Sequence, residues 1–162
     1  MKDHQYINQD SGNCEWYTPK FIIEAARDTM GGITLDPFSS EVANRTVGAE
    51  NYYDSGGFEK EWFGNVWVNH PFSKENNRKI AGKILDEYLN GNFKQACVIT
   101  FASTSERWFA PFLDFPICFL YGRVNYLLPD GTKKSGVTKG SCVTYFGDNV
   151  DSFIESFSKI GK

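Results

Sequence analysis

The sequence lacks any long apolar run. No stretch approaches the roughly 20 consecutive apolar residues that are needed to cross a bilayer, and the opening residues, MKDHQYINQDSGN, lack the apolar segment of a secretory signal peptide. These absences predict no membrane span and a cytoplasmic location. We expect a flexible N-terminal arm at residues 1–13, followed by one domain at residues 14–162.

Closely spaced cysteines are also missing. The four cysteines contain no CxxC pair, which argues against a zinc knuckle or a redox dithiol, and no metal is expected. Cys97, Cys118 and Cys142 lie in apolar runs and are predicted to be reduced core residues, whereas Cys14 lies in a polar segment.

The chain has no excess of positive charge. Its formal net charge is −3, so binding to nucleic acid would require basic residues that are clustered locally. The glycine-containing segment PDGTKKSGVTKG has such a cluster, and it is either a solvated hairpin loop or a loop that follows DNA phosphates. The candidate DNA-binding residues are Arg107, Arg123, Lys133, Lys134 and Lys139.

What is present is the composition of a globular protein, with 41% apolar and 23% charged residues in 162 positions. GITLDPF, NVWVNHPF and QACVITFA are predicted strands, and helices are expected between them. One helix has Thr18 as its predicted N-cap and Pro19 as its first residue, and another covers NRKIAGKILDEYLNG. At most a short helix and a short strand are expected in residues 39–64.

The alternation of strands and helices predicts an α/β domain with a doubly wound, mostly parallel sheet. TSERWFAPFLD is predicted to be helical up to its proline. PICFLYG, RVNYLLPDGTKK and GSCVTYFG are predicted to be three further strands, which form an antiparallel edge at the C-terminal end.

Two of the predicted strands end on polar residues, Asp36 in LDPF and Asn69 in NHPF. Ligands of open α/β sheets bind outside the carboxyl ends of the strands. The Asp36 carboxylate could accept hydrogen bonds from an ammonium or hydroxyl group, and the Asn69 amide oxygen could accept one from an amine. The alternative is that each motif is a polar turn in which proline ends a strand.

Four segments occur in an order and spacing that resemble a known signature: EWYTP at 15–19, LDPFSS at 35–40, NHPF at 69–72 and YGRVNY at 121–126. They resemble the small phage and prophage DNA N6-adenine methyltransferases over roughly residues 14–147. The resemblance implies a single Rossmann-like methyltransferase domain, S-adenosylmethionine as the cofactor, double-stranded DNA as the partner and a bacterial host cytoplasm as the location.

The resemblance also implies a mechanism for the NHPF turn. An exocyclic amine is a poor nucleophile because its lone pair is delocalised into the ring. The Asn69 side-chain oxygen and the His70 backbone carbonyl would accept the two amine hydrogens, Pro71 would hold the turn, and Phe72 would stack on the base. Proline usually occupies the position of His70 in this family, but histidine still supplies the carbonyl.

The cofactor-binding residues implied by the resemblance lie in three segments. The sequence has DPFSS where many methyltransferases have a glycine-rich loop. Glu50 and Asp54 are the candidates for holding the ribose hydroxyls, and the alternative is that both are solvated loop acids. The expected set is Thr18, Pro19, Asp36, Pro37, Phe38, Ser39 and Asp54.

Three alternatives remain open from the sequence. Methylation of the cytosine N4 amine would use the same acceptors. Methylation of a protein glutamine amide would predict a peptide groove and no basic loop. A homologue that binds DNA or cofactor without turnover is the third. The chain is expected to be a monomer or a weak homodimer.

Overall fold

A six-stranded mixed β-sheet forms the centre of residues 16–162, the part of the chain that the computed structural model describes. The predicted arm at residues 1–13 and Cys14 lie outside the described residues. The strands are β1 (Leu35–Asp36), β2 (Asn51–Tyr52), β3 (Asn65–Val68), β4 (Gln95–Phe101), β5 (Ile117–Phe119) and β6 (Ser141–Phe146). The helices are α1 (Lys20–Met30), α2 (Glu41–Val47), α3 (Lys74–Leu89), a 3₁₀ helix (Arg107–Asp114) and α4 (Val150–Phe157).

The strand order is β2-β1-β3-β4-β6-β5, and the first four strands are parallel. The prediction of an α/β domain with a mostly parallel sheet and an antiparallel C-terminal strand is therefore confirmed. The antiparallel strand β6 is not itself the edge, because it lies between β4 and β5. Strand β5 forms the edge, and its Phe119 exchanges backbone hydrogen bonds of 2.7 and 2.9 Å with Lys162.

Helices cover both faces of the sheet, and the alternation of side chains along β4 shows why. Cys97 and Ile99 point into a cluster with α1 and α4, whereas Ala96 and Val98 point into a second cluster with α3 and the 3₁₀ helix. All seven residues of β4 are buried, which explains the near-continuous apolar run QACVITF. Cys97, Cys118 and Cys142 are free and buried, as predicted.

Side-chain caps set the start of two helices. Ser40 accepts a hydrogen bond from the Ala43 N–H at the start of α2, and Ser73 accepts one from the Asn76 N–H at the start of α3. The Ser73 cap lets α3 begin at Lys74, three residues before the predicted start at Asn77. The prediction for α1 was wrong by one position, because Pro19 is the N-cap residue and Thr18 does not cap the helix.

Residues 123–140 contain no strand, although RVNYLLPDGTKK was predicted to be one. Leu127 forms only isolated bridges, with Tyr17 and with Lys133, because Pro129 and Gly131 interrupt the segment.

The 3₁₀ helix continues through Pro111, past its predicted end. Helix α4 was not predicted. The short helix and short strand expected in residues 39–64 are α2 and β2.

The parallel pairing brings the ends of several strands to one edge of the sheet, here called the carboxyl edge. Asp36, Val68 and Phe101 end β1, β3 and β4 at this edge, and Ser141, which pairs with Phe101, begins β6 there. Strand β2 follows β1 but lies on one side of it, and β3 lies on the other side. The topological switch point therefore lies between β1 and β3, where α/β sheets bind their ligands.

No helix within residues 16–162 is long and apolar enough to span a membrane. The same residues contain no group of three or more His, Cys, Asp or Glu side chains that is arranged to hold a metal ion.

Candidate functional site

A cavity of about 300 Å³ lies at the switch point on the carboxyl edge. Ligand pockets span roughly 300–1,000 Å³, so the cavity has the volume of a small cofactor site. Its walls come from residues 16–18, from the turn after β1, from the loop after β2 and from the turn after β3, with one side closed by α1 and α2.

The structure brings together most of the predicted cofactor residues and half of the NHPF turn. The predicted residues that line the cavity are Thr18, Asp36, Pro37, Phe38, Ser39, Asp54, Asn69 and Pro71. Pro19, His70 and Phe72 do not line it. Asp54 follows the carboxyl end of β2 and lines the cavity, whereas Glu50 precedes that strand and does not.

Asp36 is a buried carboxyl group in the wall of this cavity. It is 2% exposed, and its Oδ1 accepts a hydrogen bond of 3.1 Å from the Phe38 N–H. Burial raises the pKa of Asp36 from 3.8 to about 7, while the hydrogen bonds from the Phe38 backbone and the Ser39 side chain act in the opposite direction. A buried acid with a pKa near neutrality favours a cationic ligand, which would stabilise its ionised form.

The charged side chains that line the cavity all carry the same sign. They are Asp36, Asp54 and Glu59, and no Lys, Arg or His is present among the described residues of the lining. Hydroxyl groups of Tyr17, Ser40 and Tyr53 add neutral polar contacts. This arrangement suits a ligand with a positive charge and hydroxyl groups, and it disfavours nucleotide phosphates.

Asn69 is fixed in one orientation by the segment that precedes α1. Its Nδ2 donates a hydrogen bond of 2.9 Å to the Trp16 carbonyl. Within residues 16–162 its Oδ1 accepts no hydrogen bond, and the His70 carbonyl accepts none either. The turn after β3 therefore has two oxygen acceptors available next to each other in the chain.

His70 is buried behind this turn. It is 1% exposed, its Nε2 lies 2.7 Å from Asn77 Oδ1, and its Nδ1 has no partner within the described residues. Burial lowers the pKa of His70 to about 4, although the hydrogen bond to Asn77 acts in the opposite direction. The imidazole is therefore neutral at physiological pH.

Phe72 packs into an aromatic cluster and does not face the cavity. It is 5% exposed, and its ring centroid lies 4.8 Å from that of Phe101, 5.8 Å from that of Tyr126 and 6.0 Å from that of Trp16. A base could stack on Phe72 only if this cluster opened, so base stacking remains a prediction of the resemblance alone.

The sequence-based prediction missed most of the loop after β2. Residues 53–59 line the cavity, but only Asp54 was predicted, because β2 has two residues and gave no clear strand signal. Gly57 approaches the Asp36 turn so closely that an added Cβ would lie 2.1 Å from the Pro37 carbonyl oxygen. This close approach of two backbones is the role that glycine can fill and other residues cannot.

Gly57→Ala is expected to lower the free energy of unfolding by about 1–3 kcal/mol, because Pro37 and the Phe38 ring would have to move. Gly82→Ala in α3 is the matched control. An added Cβ there meets nothing within 4 Å, so this variant should gain about 0.5–1 kcal/mol. Chemical denaturation measures both variants. Equal stability of Gly57→Ala and wild type would contradict the close packing of this loop on the Asp36 turn.

Four of the five candidate DNA-binding residues lie in the connection between β5 and β6, at the carboxyl edge. Arg123, Lys133 and Lys139 are exposed, and Lys139 Nζ lies 5.5 Å from the centroid of the Phe101 ring. Lys134 is half-buried, with its Nζ 5.6 Å from the centroid of the Trp16 ring. Arg107 is also exposed and lies at the start of the 3₁₀ helix that packs with α3.

The geometry alone carries the argument about function. No protein-family model and no curated protein sequence matches this chain.

Proposed function

We propose that this chain is an S-adenosylmethionine-dependent DNA methyltransferase that acts on the exocyclic N6 amine of adenine, with a Rossmann-like methyltransferase fold. One observation carries the proposal. Asp36 ends β1 and Asn69 directly follows β3, on the two sides of the topological switch point, and both line the same cavity. The proposal assigns the Asp36 carboxylate to the cofactor and the Asn69 amide to the target amine.

The residues of the cavity fit S-adenosylmethionine. Asp36 is buried and would accept hydrogen bonds from the ammonium group, while Asp54 at the end of β2 would hold the ribose hydroxyls. The buried Thr18 Oγ1 has no partner within the described residues and is available to the ligand. Bound S-adenosylmethionine would supply a methyl group on a positively charged sulfur, which makes that carbon electrophilic.

The turn after β3 would prepare the amine for attack. Asn69 Oδ1 and the His70 carbonyl would accept its two hydrogens and so direct the nitrogen lone pair toward the methyl group. The hydrogen bond from Asn69 Nδ2 to the Trp16 carbonyl keeps Oδ1 as the free acceptor. Pro71 restricts the backbone conformation of His70 and so limits the directions in which that carbonyl can point.

The position of the basic residues supports DNA as the substrate in preference to a protein glutamine. Arg123, Lys133 and Lys139 are exposed in the connection that begins and ends at the carboxyl edge, and Leu127 of this connection pairs with Tyr17 of the cavity wall. A protein substrate would not require such a cluster of cations, whereas the phosphates of DNA would.

The direct test is to incubate the purified protein with S-adenosylmethionine and unmethylated DNA, digest the DNA to nucleosides and identify the products by mass spectrometry. N6-methyl-2′-deoxyadenosine is expected. N4-methyl-2′-deoxycytidine would keep the acceptor mechanism and change the substrate, and the absence of both products would overturn the proposal.

Lys133→Ala is expected to weaken DNA binding to a similar degree on different sequences, since an exposed lysine of this kind contacts phosphates. The slope of log K against log salt concentration should fall by about 0.9, which corresponds to the loss of one phosphate contact. Fluorescence anisotropy over a range of salt concentrations measures this slope. Lys94→Ala, an exposed lysine just before β4 at the opposite edge of the sheet, should leave it unchanged. Equal slopes for Lys133→Ala and wild type would remove Lys133 from the interface.

A further inference from the structure

His70, within the turn that carries the two acceptors, is buried, and the half-buried Asn77 is its hydrogen-bonding neighbour. His70 lies between Asn69 and Pro71, is 1% exposed and has one polar contact among the described residues, from its Nε2 to Asn77 Oδ1 at 2.7 Å. The amide oxygen can only accept, so His70 Nε2 carries the hydrogen and donates it. The contact fixes both the tautomer and the orientation of the ring.

Asn77 is itself held in place by the start of α3. It lies in the first turn of this helix, and its N–H donates a hydrogen bond of 2.8 Å to the Ser73 carbonyl. The helix start is in turn fixed by the Ser73 cap. On its other side, the His70 ring meets the Phe72 ring edge to face, at 5.2 Å between centroids. The imidazole is therefore held between a helix and an aromatic cluster.

We infer that Asn77 is a positioning residue, which orients His70 so that its backbone carbonyl acts as the second acceptor beside Asn69 Oδ1. The inference rests on the proposed function. Unlike a proline at this position, His70 has no ring that fixes its own φ, so within the range that Pro71 allows, the direction of its carbonyl depends on how its side chain is held. Small misplacements at a reacting centre reduce the rate strongly, whereas they change cofactor binding little when the cofactor is bound by other residues.

Asn77→Ala is expected to reduce kcat by about 10- to 100-fold while the KM for S-adenosylmethionine stays within about twofold of wild type. The matched control is Asn76→Ala. Asn76 is the preceding residue in the same helical turn, and its side chain forms no hydrogen bond within residues 16–162, so this variant should keep wild-type kinetics. Thermal unfolding and cofactor titration establish that both variants are folded.

Asn77→Asp provides the readout that a purely structural role would not give. A carboxylate accepts the same Nε2–H hydrogen bond and is favourable in a first helical turn, so kcat should recover to near the wild-type value at pH 8. Its charge would also raise the pKa of His70. Activity should then fall as the pH decreases through the raised pKa, because an imidazolium beside the cationic methyl donor opposes the reaction. With a saturating concentration of S-adenosylmethionine, the kcat of the wild-type enzyme should show no such fall above pH 5, because the pKa of its His70 is about 4.

The outcomes separate this inference from the proposed function. A loss of kcat in Asn77→Ala with recovery in Asn77→Asp at pH 8 supports it. If the wild type methylates DNA and Asn77→Ala has wild-type kcat, the positioning role is wrong and the proposed function stands. If both variants of Asn77 lose activity equally at pH 8, the hydrogen bond is not what matters and the inference fails. If the wild type itself does not methylate DNA, the proposed function fails, and the positioning role fails with it.

Discussion

Asn69→Ala is expected to reduce methyl transfer to DNA by about 100- to 1,000-fold, the effect of removing one preorganised hydrogen-bonding group from a reacting centre. The substitution removes Oδ1, which accepts no hydrogen bond within residues 16–162, and leaves the three acidic side chains of the cofactor cavity in place. Affinity for S-adenosylmethionine should therefore change by no more than about threefold. The measurement is single-turnover methylation with a saturating concentration of cofactor, together with calorimetry for binding.

Asn69 also contributes to the structure, which makes the controls for this variant important. Its Nδ2 donates to the Trp16 carbonyl, so alanine also releases residues 16–18 from the turn. Asn69→Asp keeps an acceptor but places a carboxylate against that carbonyl, and it should recover part of the rate. Methylation by Asn69→Ala at the wild-type rate would show that the amine is not activated at this turn. Loss of cofactor binding in the same variant would show that Asn69 acts through the shape of the cavity.

The fold was largely predictable because the hydrophobic pattern follows the sheet. The apolar run of β4 is long and buried on both faces, and the proline turns of LDPF and NHPF end their strands where predicted. The failures have local causes. The position of β6 between β4 and β5 depends on pairing between distant residues, such as Phe101 with Ser141, and no local sequence pattern reports such pairing. Val124 and Tyr126 favour a strand, but Pro129 and Gly131 interrupt the segment, and the structure uses residues 123–140 as a connection.

The site was predictable where a residue terminates a strand and unpredictable where it does not. Asp36 and Asn69 were found because both follow apolar strands directly. The loop at residues 53–59 was missed because its contribution depends on Gly57 packing against the Pro37 carbonyl, which is a contact across the fold. Phe72 follows the same turn as Asn69, yet it is turned into the aromatic cluster. A turn motif therefore fixes the location of a group but not the side to which it points.

Asp36→Asn is expected to have opposite effects on binding and on stability. Asparagine keeps the shape of the side chain and an oxygen that accepts from the Phe38 N–H, but it cannot carry a charge. The affinity for S-adenosylmethionine should fall by about 10- to 100-fold, since hydrogen bonds to a charged group contribute roughly 1.5–3 kcal/mol. The free protein should become more stable at pH 8, because the cost of burying an ionised carboxylate is removed.

The raised pKa of Asp36 determines the direction in which stability and cofactor affinity change with pH. Burial raises the pKa of Asp36 to about 7 in the folded protein, above its ordinary value of 3.8. Its contribution to stability is therefore fully present below pH 4 and is lost as the pH rises through about 7, a change on the order of 4 kcal/mol at most. A cationic ligand favours the ionised form, so cofactor affinity should rise over the same interval. In Asp36→Asn, both the free energy of unfolding and the cofactor affinity should lose the pH dependence that Asp36 causes.

Denaturation and calorimetry at pH 5, 7 and 8.5 measure both effects on the same samples. Asp148→Asn, an exposed acid just after β6 at the opposite edge of the sheet, should match wild type in cofactor binding. Wild-type affinity in Asp36→Asn would show that the buried carboxylate does not contact the cofactor. A loss of stability in the free variant at pH 8 would mean that the hydrogen bonds from Phe38 and Ser39 outweigh burial. Weaker binding together with greater stability would instead show that Asp36 is kept at this position for its charge, at a cost to the fold that the bound cation offsets.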